Sequence, residues 1–362
     1  MTNENPTMQG AICPVPLNHS VKIVMGHGSG GILSHKLIKN EFLSSYGNPI
    51  LQAANDAGVV EISGFSKKEI FISHRLAIST DSHVVYPLFF PGGDIGRLAV
   101  CGTVNDVSMM GAQPKYLTVG FILEEGLPIE TLNRVIESMK YSADEAGVQI
   151  IAGDTKVVQK GKADGLFIST SGIGAIPEGI NINGSNAKSG DIVLISGSIG
   201  DHGMAVLSAR GELGFESDIM SDIAPLNHLV KTIIETGASI HTLRDPTRGG
   251  LATSLNEIAQ QSQVCIEIEE NSIPINVAVQ SACEMLGFDP LYVANEGKLI
   301  AITAPQDAQK VLKAMKGQKY GKQAKIIGRV TKNPPGRVLL NTPLGTKRVV
   351  TMLSGEMLPR IC

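Results

Sequence analysis

Residues 91–125 read PGGDIGRLAVCGTVNDVSMMGAQPKYLTVGFILEE. Asp94 stands just before a long apolar run, where a carboxylate can accept from the free N–H groups of a first helical turn. The spacing predicts a helix from there to about Met110. KYLTVGFILEE then reads as a strand. Next comes PIETLNRVIESMKYSADEAG, an amphipathic helix closed by Gly147. VQIIAGDTKVV and GLFISTSGIGAI follow as strands joined by a polar turn. On the N-terminal side, EISGFSKKEIFISHRLAIST and SHVVYPLFF are strand-like runs. Before them, VKIVMGHGSGG is a short apolar run entering a glycine loop, and Ile32, Leu33, Leu37, Ile38 and Phe42 lie near helical spacing.

A break falls at PEGINING, residues 177–184, and the second half repeats the style. DIVLISGSI, VCIEIEE, LYVANEGKLIAIT and KIIGRV read as strands. HGMAVLSARG, LNHLVKTIIETG, LATSLNEIAQQ and DAQKVLKAMKG carry helical patterns, and HTLRDPTRGG is a loop. The tail TPLGTKRVVTMLSGEMLPRIC has weak signals, and residues 1–20 are irregular, with Pro6, Pro14 and Pro16. Strands alternate with helices in both halves, which predicts an α/β (α+β) chain of two domains.

Composition narrows the function. The 362 residues carry 31 Lys plus Arg against 34 Asp plus Glu, a net charge of −3. That argues against a basic nucleic-acid or membrane-binding face. There is no Trp and aromatics are 4%, too few for a base-stacking platform. Glycine is in excess, 40 residues, or about 11% against a usual ~7%. The five cysteines, Cys13, Cys101, Cys265, Cys283 and Cys362, form no CxxC pair, which excludes a zinc ribbon and disfavours a secreted disulfide framework. MTNENPTMQG lacks the features of a signal peptide, and no run approaches ~18 apolar residues. A reduced, soluble, cytoplasmic protein is expected.

Gly26, Gly28 and Gly31 fit G-x-G-x-x-G, with Gly30 between them. The dinucleotide fold would require an acidic residue ~20 positions on, at a strand end, and position 46 is Tyr. Successive glycine N–H groups can still cradle a phosphate; the other reading is a surface turn. Asp56, Asp81, Asp106, Asp154 and Asp245 each sit where an element meets a loop. Converging carboxylates suit Mg²⁺ with a nucleotide, although loop aspartates also serve as caps and turn formers. Asn105 and Asp106 interrupt an apolar helix, where a polar group is costly unless satisfied. Glu296 interrupts another apolar run; a salt bridge with Lys298 is the alternative to a functional role. Lys156 lies in a strand beside polar neighbours. Cys362 stands last, and a thiol on a mobile tail can act as a swinging carrier or be incidental. Arg360, or a basic docking site, could favour its thiolate.

FFPGGDIGRLAVCGTVNDVSMMGAQP, AGDTKVV, RDPTRGGLA, NEGK and the final PRIC together resemble the hydrogenase-maturation carbamoyl dehydratases, the HypE family. These belong to a PurM-like ATP-binding superfamily with aminoimidazole ribonucleotide synthetase, selenophosphate synthetase and thiamine-monophosphate kinase. The resemblance runs from Gly26 to Cys362. It implies an N-terminal extension and glycine-rich phosphate loop (1–44), an ATP-binding and dimerisation domain (45–177), a C-terminal α/β domain (178–340) and a flexible tail (341–362). It implies a cytoplasmic homodimer whose N-terminal sheets pair into a barrel-like core.

The resemblance also implies ATP and Mg²⁺ as cofactors. Asp56, Asp81, Asp106 and Asp245 match the acidic metal positions. Gly26–Gly31, Asn105 and Asp154 match nucleotide-site positions. Cys362 matches the thiol that carries a carbamoyl group, and Lys156 and Glu296 match residues of the dehydration step, thiocarbamate to thiocyanate. The implied partners are the carbamoyltransferase HypF, which loads the tail, and the HypC–HypD complex, which receives cyanide for the hydrogenase iron. A selenophosphate synthetase would need a reactive Cys beside the glycine loop, and Cys13 is a poor match. A thiamine-monophosphate kinase would need no terminal thiol. A non-catalytic scaffold would leave the carboxylates unexplained.

Overall fold

The computed structural model describes residues 23–65, 71–211, 218–355 and 361–362. Cys13, Arg360 and most of the N-terminal extension lie outside the described residues. The first half begins with α1 (Ile32–Leu37), which runs through a π turn into α2 (Leu43–Tyr46), and with the short α3 (Pro49–Gln52). It continues with β1 (Gly58–Phe65), β2 (Phe71–His83), the two-residue β3 (Phe89–Phe90) and β4 (Gly93–Asp94), then α4 (Ile95–Met109), β5 (Gln113–Glu124), α5 (Ile129–Ala146), β6 (Gln149–Val158) and β7 (Leu166–Ile176). Its sheet has the order β1-β2-β7-β5-β6. Only β5 and β6 are parallel, as their crossover through α5 requires.

The helix expected from Asp94 is α4. The Asp94 carboxylate accepts from Gly96 N at 2.7 Å and Arg97 N at 3.1 Å, and its other oxygen accepts from Ser138 of α5 at 2.6 Å. The helix is apolar nearly all round because it is buried on every side, against the sheet, α5 and the second half. Glycine lets it lie close to the sheet: a Cβ on Gly172 would stand 2.7 Å from Thr103 Cγ2, and one on Gly174 2.6 Å from Val107 Cγ1.

The second half comprises β8 (Ile192–Ile195), α6 (Asp201–Ala209), α7 (Asn227–Glu235), β9 (Ile240–Arg244), α8 (Gly250–Ser262), β10 (Cys265–Glu269), α9 (Val277–Leu286), β11 (Ile300–Thr303), α10 (Ala308–Lys316), β12 (Lys325–Thr331), β13 (Arg337–Asn341) and β14 (Lys347–Val350). Its sheet has the order β14-β13-β10-β12-β8-β11-β9, antiparallel except for β10 with β13. Two apolar clusters flank this sheet, one with α8 and the other with α7 and α10.

Three local readings change. SHVVYPLFF is not one strand: β2 ends at His83, and Val84 N then donates to the main-chain oxygen of Cys362 at 3.1 Å. LYVANEGKLIAIT is a strand only over Ile300–Thr303. Side chains and loops take the ladder's place before it: Asn295 accepts from Gly200 N at 2.7 Å and donates to Pro246 O at 2.8 Å, and Asp222 accepts from Glu296 N at 3.1 Å. The weak-signal tail contains β14, which pairs with β13.

Candidate active site

The carboxylates come from separate elements that meet where the two halves touch. Asp56 precedes β1, Asp81 lies near the end of β2, Asp106 is on α4, Asp245 follows β9 and Glu296 sits in the loop before β11. Ser79 donates to Asp106 at 2.7 Å. Arg248 lies 3.4 Å from Asp81, and Arg244 lies 3.3 Å from Asp56 while also bridging to Glu257. Burial raises the Asp56 carboxyl to about 6 despite Arg244. Burial, then the charge of Asp56, raises Asp245 to about 8. Asp106 is pushed well up by burial and by Asp245, Asp81 and Asp56. The chain thus gathers carboxylates that repel one another in a desolvated place.

These donors fit a divalent cation that arrives with phosphates. Asp245 Oδ2 and Glu296 Oε1 are buried without a hydrogen-bond partner, and a bound cation would relieve the repulsion. Among the described residues no three His, Cys, Asp or Glu side chains come together closely enough to hold a metal ion by themselves. Mg²⁺ seldom needs one, since water and substrate phosphates complete its octahedron.

A cavity of about 700 Å³ opens beside this cluster. Gly28 and Ser29 of the glycine loop line it, with Ser82, Val84, Arg248, Gly249, Ala294, Ile361 and Cys362. Gly30 has φ +76°, and a Cβ there would stand 3.0 Å from Arg248 Cβ; at Gly31 one would stand 2.2 Å from Leu353 O. These glycines let the loop lie against its neighbours, and buried Gly26 does the same against Leu33. A Cβ on Gly28 meets nothing within 4 Å, so Gly28 faces open space, as a phosphate cradle requires.

Cys362 packs at the edge of the N-terminal core, beside Ile361, which is buried. Burial pushes its thiol up to about 12; Arg248 pulls it down, and Glu296 and Asp81 push it further up. Glu296 is itself held well above the usual carboxylate range, first by burial and then by Asp81, Asp245 and Asp222. Lys298 pairs with Asp222 at 3.2 Å, so the expected alternative of a Glu296–Lys298 bridge gives way to this pair.

Three expected site residues stand apart. Asn105 is buried with both ends of its amide engaged: Nδ2 donates to Ala224 O at 3.0 Å and Glu296 O at 3.4 Å, and Oδ1 accepts from Leu226 N at 2.8 Å. It ties α4 to the second half. Asp154 and Lys156 pair at 3.2 Å on β6, with side chains 71% and 73% exposed. Within one chain they are not joined to Glu296. Arg244, Arg248, His202 and Asp222 were not singled out in the sequence. Arg248 had a usable signal, since it stands between Asp245 and Gly249 in RDPTRGG; Asp222, in a featureless polar stretch, had none.

Comparison with known proteins matches both halves of the chain to one family. Residues 54–176 match the N-terminal domain of the AIR synthase related protein family, and residues 188–341 match its C-terminal domain. The carbamoyl dehydratase HypE of Cupriavidus necator is 50% identical over 96% of this chain and 97% of its own. Among solved structures, HypE in a HypE–HypF complex superposes with a TM-score of 0.82 at 50% identity, covering 88% of this chain and 99% of that one. HypE in complex with ATP gives 0.77 at 49% identity, covering 94% and 100%. With both halves matched in order and half of all residues shared over nearly the full length, this chain belongs to the HypE family of carbamoyl dehydratases.

Proposed function

We propose that this protein uses ATP to dehydrate a carbamoyl group carried on Cys362, converting a thiocarbamate, S–C(=O)–NH₂, to a thiocyanate, S–C≡N. The observation that carries this reading is that Cys362, the glycine loop and Arg248 line one cavity beside buried Glu296. The relative solved with ATP supports the nucleotide. The carbamoyl oxygen attacks the γ-phosphorus, the bond to ADP breaks, and nitrogen gives up one proton. The carbon–oxygen bond then breaks, phosphate leaves, and the second nitrogen proton is removed. Phosphorylation replaces a poor leaving group with a good one.

Gly26, Gly28, Gly30 and Gly31 cover the phosphates. Asp81, Asp106 and Asp245 are the metal donors; Asp56 is the fourth, its charge partly answered by Arg244. Mg²⁺, when bound there, offsets charge on the phosphates. Glu296 takes a proton, and Lys156 stabilises developing charge.

Lys156 needs a second copy. The sheet face away from α4 exposes Ile78, Tyr116 and Ile122. Among the described residues β6 pairs with β5 alone and exposes Ile151 and Val157. A homodimer that closes these sheets into a barrel would cover them and deliver Asp154 and Lys156 to the partner's site. HypF is the proposed carbamoyl donor, as the HypE–HypF complex of a relative suggests, and a HypC–HypD complex the cyanide acceptor, in the cytoplasm. In single-turnover assays on carbamoylated protein, Glu296→Gln and Lys156→Ala should each slow dehydration about 100-fold or more. Wild-type rates in either variant would remove that residue from the scheme.

A further inference from the structure

Ser221 and Asp222 are held from both halves. Ser221 N donates to Pro91 O at 2.8 Å. Gly92, at φ +88°, allows this approach: a Cβ there would stand 2.6 Å from Ser221 N. From the other side, Asp222 accepts from Glu296 N at 3.1 Å and pairs with Lys298 at 3.2 Å.

Ser221 Oγ lies 2.8 Å from Nδ1 of His202, and Nε2 of His202 lies 2.7 Å from the carbonyl oxygen of Ile361. A carbonyl can only accept, so Nε2 carries the proton, and Nδ1 accepts from the Ser221 hydroxyl. His202 is fully buried, with Phe90 edge-on at 5.6 Å. Burial pushes the imidazole below its usual value, which keeps the ring in this neutral form.

We propose that His202, oriented by Ser221, is a positioning residue that grips the Ile361 carbonyl and so sets the Cys362 thiol in the cavity before Glu296. The neighbouring Asp222 fixes the Glu296 backbone, so carrier and base share one two-residue support. The inference rests on reading Cys362 as the carrier.

The test reads tail docking directly. Full-length protein without ATP is treated with iodoacetamide, and labelling of Cys362 is followed by peptide mass spectrometry. Loss of one hydrogen bond in His202→Ala should speed Cys362 labelling roughly five- to tenfold. His202→Gln, which keeps an N–H donor, should return it to within about twofold of wild type, and Ser221→Ala should give about a two- to threefold rise. In single-turnover dehydration, His202→Ala should lower the rate constant and leave the ATP KM unchanged. Wild-type labelling in His202→Ala or Ser221→Ala, or equal labelling in the Ala and Gln variants, would overturn the proposal. If His202→Ala does not fold, the Ser221→Ala rate decides. A wild-type tail that never gains a carbamoyl group would instead sink the carrier reading, leaving the labelling result to stand alone.

Discussion

At the residue scale, the groups of the candidate site are desolvated. Glu296 is 5% exposed and has an unpartnered oxygen. Its raised pKa means that the carboxyl is protonated to a higher pH than an ordinary glutamate. A base must be ionised to accept a proton, so the dehydration rate should climb with pH as Glu296 loses its proton. Glu296→Gln should remove that limb of the profile; an unchanged pH–rate curve would contradict its role. Cys362 should behave in the same sense. With its thiol near 12, thiolate is scarce at pH 8, and iodoacetamide should label the docked thiol at least tenfold more slowly than a free cysteine. A faster rate would show that the thiol is activated in the resting state. Glu296 stood out in the sequence because it breaks an apolar run. His202 did not, because its partners lie 19 and 159 positions away.

At the scale of elements, the α4–α5 corner carries a measurable electrostatic load. Burial alone would raise the Glu145 carboxyl; hydrogen bonds from Tyr320, Lys319 and Arg97 more than offset this and bring it to about 2 from 4.5. The folded value is depressed, so the stabilisation is complete above about 4.5 and is lost as pH falls through about 2. Glu145→Gln should cost about 1–2 kcal/mol near neutrality after allowance for screening, and less in acid. Chemical denaturation at several pH values measures this, and a pH-independent difference would contradict it. The elements themselves were legible where local chemistry decides. Asp94 caps α4, and Gly147 closes α5 with a left-handed φ of 69°. NEGK was misread as strand because its apolar neighbours suggest a ladder, while its hydrogen bonds go to Pro246, Gly200 and Asp222. Those partners are distant in sequence, so no local pattern reveals them.

At the scale of the molecule, carboxylates from five elements meet at the junction of the two halves, and in the proposed arrangement a second copy completes the site. Lys156 and Asp154 are the residues whose positions the sequence could suggest but one chain cannot explain. Replacing Ile78, 40% exposed on the face of β2 turned away from α4, with Asp should place charge in the closed barrel. Light scattering should then report a monomer in place of a dimer, with dehydration lost and the far-UV spectrum unchanged. An Ile78→Asp dimer with full activity would contradict this arrangement. The excess glycine also divides by role: Gly172 and Gly174 seat α4 on the sheet, whereas Gly28 opens toward the cavity. The most direct test of the whole is the mass of the tail peptide. Protein carbamoylated by a carbamoyltransferase is given ATP, and the Cys362 peptide is weighed as phosphate is released. The expected result is loss of one water per phosphate, leaving a cyanated thiol. A tail that keeps its carbamoyl group while ATP is consumed would contradict the account.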